Sequence, residues 1–125
     1  MMHKIGAVMY IIWGLLHIKA ASLVYKLGQG LEPGMVQGRI FQDAGFLLFF
    51  AIVAIVVAIK MNWHNSKSGY WINLIAVSAT DIVFITFVLV PGYAPLWPGL
   101  AGPLFWALSA IFSTVGIVKK VRHDS

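Results

Sequence analysis

The sequence predicts an all-α integral membrane protein, a four-helix bundle with both termini cytoplasmic. Three observations carry this. Of 125 residues, 60% are hydrophobic and only 10% charged, where a soluble domain has about 25% charged residues. So little charge cannot cover a water-facing surface, so most of the exterior must face lipid. Apolar runs of bilayer-crossing length recur to the end of the chain, which argues for one domain over 1–125 and against a cleaved leader. The basic residues gather at alternate ends of those runs, as membrane topology requires.

Four segments reach the roughly 20 mainly apolar residues a transmembrane helix needs: 5–24, 35–59, 70–90 and 100–118. Turn-rich stretches separate them at 28–34, 62–69 and 91–99, where glycine, proline and small polar residues break a helix. No period-two alternation appears, so strands are not expected. Lys4, Lys60, Lys67, Lys119, Lys120 and Arg122 fall on one side of the membrane. The other side has Lys26 and Glu32 in its first loop and no charge in its second. Both termini are therefore expected in the cytoplasm. Trp63 and Trp71 then lie at the inner interface and Trp97 at the outer one.

The chain has no cysteine, which excludes disulfides and thiolate chemistry. The net charge of +5 does not point to nucleic acid, because the basic residues are spread over span ends.

The informative residues are the ionisable ones inside the spans. Asp81 stands mid-span, where an ionised carboxylate is costly, so it is neutral, paired or facing water. At 1.5 Å per residue, His17 lies about 18 Å from the inner start of its span and Asp81 about 16 Å from that of its own. Asp43, on a helix running inward, lies roughly 10 to 12 Å below the outer surface by the same rise. All three are thus expected in one polar layer just outward of the midplane. Tyr10, Trp13 and His17 share a face of the first helix, and Asn73, Val77, Thr80, Asp81 and Phe84 form a stripe on the third. Arg39 and Asp43 are spaced to pair, with Gln42 beside them. Whether Asp43 turns to Arg39 or to the bundle centre is open from sequence alone. Gly34 and Gly38 form a G-x-x-x-G, and Ser109, Ser113 and Gly116 a small-residue stripe read as scaffold or subunit contact.

Three functions fit this pattern. One is a membrane acid–base enzyme that isomerises, cyclises or hydrolyses a lipophilic substrate. Asp81, His17 and Asp43 would be its catalytic groups. Tyr10, Trp13, Arg39, Gln42, Asn73, Thr80, Phe84 and Trp106 would line its substrate pocket, alongside Phe46 and Phe50. The second is a proton-coupled small-solute carrier, which would need a homodimer because four spans enclose no path. Small multidrug-resistance transporters are similar in length and span number, but carry a glutamate in the first helix where this chain has His17 and Lys19. The third is a non-catalytic membrane subunit. No cofactor is expected, since His17 is the only histidine inside a span and metal or haem binding is the poorest fit. The expected partners are the bilayer, a lipophilic small molecule and a second copy, with no nucleic acid.

Four spans in 125 residues, with Trp13-Gly14-Leu15-Leu16-His17 in the first, resemble the small DoxX-like bacterial inner-membrane proteins over the general plan of the chain. The resemblance implies a bacterial inner-membrane setting. That family is functionally mixed, so no functional residue is carried over from it.

Overall fold

The computed structural model describes residues 1–124. The long elements are α1 (Met2–Gln29), α2 (Met35–Lys60), α3 (Lys67–Phe84) and α4 (Ala101–Asp124). A 3-10 turn at Asn62–His64 joins α2 to α3, and a single helical turn at Leu96–Gly99 precedes α4. No strand occurs among the described residues. Four helical stretches are long and apolar enough to cross a membrane.

Local chemistry sets the ends. Gln37 Nε2 donates to the carbonyls of Gly28 and Leu31, both at 3.1 Å, and so ties the end of α1 to the start of α2. Asn65 takes the left-handed conformation at φ 57°, which its short polar side chain tolerates. Ser66 then caps α3 by accepting from the Gly69 N–H. Pro103 sits in the first turn of α4, where its missing N–H costs nothing.

Several boundaries differ from the sequence expectation, two of them with local consequences. The first helix runs past residue 24 to Gln29, carrying Lys26 into its last turn, where a cation meets the negative end of the helix dipole. The third span is not one regular helix to residue 90. Beyond Phe84 it continues as a π-helical turn, Ile85–Leu89, with the Val90 N–H bonded to the Ile85 carbonyl. Thr86 Oγ1 donates to the Ile82 carbonyl there at 2.7 Å, a side-chain bond that competes with the regular ladder.

Helix α1 is the centre of the bundle, packing along α2 on one side and α4 on the other, while α3 closes the group against α2 and α4. Small residues make these approaches close. A Cβ on Gly14 would run into Ile55 and lie 2.9 Å from the Ala51 carbonyl oxygen. One on Gly6 would lie 2.9 Å from the backbone nitrogen of Ser113. Ser113 and Gly116 are buried against α1, so the small-residue stripe of α4 is internal scaffold rather than a subunit contact.

Polarity runs opposite to that of a soluble protein. Asn62, Asn73, Asp81, Ser109 and Ser113 are buried, while Leu15, Phe49, Ile75 and Phe87 are 57%, 60%, 63% and 66% exposed. Such an exterior suits lipid and not water.

The close α1–α2 approach has a direct consequence. Gly14→Ala should lower stability by about 1–3 kcal/mol, because the Ala51 backbone must move. Gly45→Ala meets nothing within 4 Å and should change stability by less than about 1 kcal/mol. Reversible unfolding in mixed detergent micelles checks both, and equal losses would contradict the packing described.

Candidate functional site

Asp81 and His17 meet in the interior. His17 Nε2 lies 3.5 Å from Asp81 Oδ1, with the histidine side chain 12% exposed and the aspartate fully enclosed. The other carboxylate oxygen, Oδ2, accepts a hydrogen bond of 2.9 Å from the indole N–H of Trp13. His17 Nδ1 lies 2.8 Å from the Trp13 carbonyl. A carbonyl oxygen only accepts, so Nδ1 carries the hydrogen and Nε2 is left facing the carboxylate. The imidazole also stacks on the Trp13 ring, centroid to centroid 3.8 Å.

This geometry follows from helix spacing. Residues 13 and 17 are one turn apart on α1, so the ring of one can lie over the other. Asp81 projects from α3 on the buried stripe it shares with Asn73 and Val77, all three fully enclosed. From α4, Gly102 closes the third side. A Cβ there would lie 2.9 Å from His17 Cε1 and 3.8 Å from Asp81 Oδ1. Only a residue without a side chain lets the start of α4 approach so near.

Chemically, the two facing atoms, Nε2 and Oδ1, are both lone-pair carriers unless a proton lies between them. The dyad therefore has a place for one shared proton, held as a neutral acid beside imidazole or as a carboxylate beside imidazolium. Asp81 Oδ1 makes no hydrogen bond, and at 3.5 Å from Nε2 it stands at ion-pair rather than hydrogen-bond distance.

The remaining residues expected at the site are placed elsewhere or in other roles. Asp43, Arg39 and Gln42 are exposed on α2 and do not join the dyad. Arg39 donates to Gln42 Oε1 at 3.0 Å rather than to Asp43. Depth along the helix was shared with Asp81, but the direction around the helix is not. Asn73 donates to the Ala54 carbonyl and to Asn62 Oδ1, at 3.0 and 2.8 Å, which makes it a tie between α3 and the end of α2. Thr80 spends its hydroxyl on the Ala76 carbonyl. Tyr10 and Trp13 are fully buried core rather than pocket wall, and the Tyr10 hydroxyl faces Ser113 without completing a hydrogen bond. Trp106, half-buried, donates its indole N–H to Ser78 at 2.8 Å. Phe84 is half-buried one turn above Asp81.

Two surface hollows of about 270 and 390 Å³ lie at the opposite end of the bundle, around His3 with Lys119 and around Lys4 with Trp63. Neither is lined by the dyad. Among the described residues, no three His, Asp or Glu side chains gather closely enough to hold a metal ion.

Two features escape a reading of the sequence. Trp13 reads from the sequence as a pocket-lining ring, yet it is the donor that holds Asp81. Gly102 carries no chemistry, and only the fold shows that its bareness admits the dyad.

No protein-family model, curated protein or solved structure matches the chain.

Trp13→Phe keeps a ring against His17 and removes the donor to Asp81. It should cost about 1–3 kcal/mol, the usual penalty for a buried acceptor left unpaired. The Asp81 carboxyl band in infrared difference spectra should move with it. An unmoved band would mean that Trp13 does not hold the carboxylate.

Proposed function

We propose that the chain is a membrane-embedded acid–base enzyme acting on a lipophilic substrate, with Asp81 and His17 as its proton-transfer pair. The observation that carries this reading is the 3.5 Å contact between His17 Nε2 and Asp81 Oδ1 with Nδ1 already committed to a carbonyl. General acid–base catalysis needs a proton held at a fixed point within reach of the reacting group. Trp13 fixes both partners, one through its indole N–H and the other through its ring face and carbonyl. His17 is the member that exchanges with substrate, since it alone of the two has an exposed edge. A lipophilic molecule would reach that edge from the hydrocarbon, along the half-buried Phe84 and Trp106. Isomerisation, cyclisation and hydrolysis all fit one movable proton. Asp43 has no part in this chemistry.

The setting belongs to the same proposal. The side-to-side bias of basic residues supports cytoplasmic termini, and the DoxX-like plan supports a bacterial inner membrane.

A second reading is a proton-coupled carrier working as a dimer. It is favoured by the enclosure of Asp81, because a proton site shut off on every side is what an occluded carrier holds.

Incubating the purified protein with a total membrane lipid extract should change the abundance of at least one lipid-like species by mass spectrometry. Asp81→Asn and His17→Gln should each slow that conversion by about 10²-fold or more, with helix content unchanged. No conversion, with proton flux across liposomes instead, would replace the enzyme by the carrier. Neither activity would sink both.

A further inference from the structure

Helix α2 presents a polar face to the outside of the bundle. Arg39, Gln42 and Asp43 are all exposed, and Phe46 beside them is 54% exposed. Gly38 and Gly45 have open space where a Cβ would be.

Asp43 lies close to the outer edge of the hydrocarbon. Helix α2 has 26 residues, roughly 39 Å at 1.5 Å per residue, so about 9 Å exceeds a hydrocarbon core of about 30 Å. Asp43 lies eight residues after Met35, roughly 12 Å along the axis. With the excess of α2 alone projecting at that end, its carboxylate lies about 3 Å inside, and with the span counted to His64 it reaches the boundary. Arg39, roughly 6 Å along, has a stem long enough to reach the interface, but a short aspartate has none. Among the described residues no hydrogen bond or ion pair reaches Asp43, since Arg39 is turned to Gln42. A partner for it in the membrane would come from outside this copy.

We propose that a second copy of this chain packs on this face of α2, related by a two-fold axis along the membrane normal. The occupant follows from the arrangement of charge. At about 100° per residue, Arg39 and Phe46 project in nearly the same direction, with Gln42 and Asp43 about 50° to either side. A two-fold axis on the Arg39–Phe46 line brings the left flank of one helix against the opposite flank of its mate. Each Asp43 then faces the partner's Gln42 amide, with the partner's Arg39 one turn outward. Flank to flank the patch is its own complement, the defining property of an isologous interface, while Arg39, next to the axis, meets its own counterpart. Two copies inserted in the same direction can use no other two-fold orientation. A lipid chain would leave Asp43 bare, and an unrelated helix would need a matching acid–base set of its own. The interface stands apart from the dyad and from either reading of its chemistry.

The chain has no cysteine, so single-cysteine crosslinking reads the interface directly. In membranes under mild oxidation, F46C should form a disulfide-linked product of twice the chain mass. I111C, on α4 at a position 58% exposed, should remain monomeric. Adding Asp43→Arg to F46C should cut crosslinking at least tenfold, and adding Arg39→Asp as well should restore it by reversing the pattern on both copies. Four outcomes would overturn the proposal: no dimer from F46C, equal dimer from I111C, indifference to Asp43→Arg, or a product of another mass. Should both charge variants fail to fold, the contrast between F46C and I111C decides alone.

Discussion

The enclosed carboxylate of Asp81 constrains the rest of this bundle. Setting an aspartate mid-membrane costs about 2.5–3.5 kcal/mol on insertion scales. A hydrogen bond to a charged group returns about 1.5–3 kcal/mol. Trp13 supplies one such bond, and His17 adds a weaker contact at 3.5 Å. Gain and cost are of one size, so the cluster adds little net stability. What it adds is register. Asp81 is satisfied only if α3 stands at one height against α1, and the dyad fits under α4 only at Gly102. Buried polar clusters that nearly cancel in energy can still select a single arrangement.

The same logic recurs nearer the α2–α3 turn. Helices in lipid gain nothing from hiding apolar surface, so close packing and polar bonds must hold them. Asn73 spans from α3 to the Ala54 carbonyl and Asn62, and the Tyr70 hydroxyl meets Thr114 at 2.8 Å. Asn65 reaches the Gly116 carbonyl, and Lys120 reaches the carbonyl of Asn65. These bonds join α2, α3, α4 and the turn after α2 at one end, while the dyad joins α1 and α3 nearer the other. Between the two polar layers lie Tyr10 and Val77, fully buried. Two polar layers with an apolar layer between leave little freedom to slide.

How much of this is legible in the sequence depends on what periodicity encodes. Span number and helical class follow from composition and run length, which are one-dimensional quantities. The meeting of His17 with Asp81 follows from depth, because both lie mid-span and both helices turn those positions inward. Asp43 fails the same argument for a physical reason. Depth gives height along a helix, while direction depends on which side the neighbours occupy. On α2 the neighbours lie along Ala44, Ala51, Ala54 and Ala58, and Asp43 misses that line. The donor role of Trp13 and the close fit at Gly102 need coordinates, since an indole N–H and a missing side chain have no periodic signature. The π-helical turn after Phe84 is equally silent in a hydropathy profile.

Asp81 and Asp43 therefore pose one problem with two solutions. A helix turns only a limited stripe, on the order of 100° wide, toward its own bundle. Four helices of this length enclose a single narrow interior, already filled by Trp13, Tyr10 and the dyad. There is no room in it for a second carboxylate with its own donors. A polar group pointing outward must then be completed by another surface, or remain a standing cost in hydrocarbon. That the outward group on α2 comes with a cation and an amide within one turn is what separates an unfinished contact from a stray charge. The inward aspartate organises one copy, and on our proposal the outward one organises two.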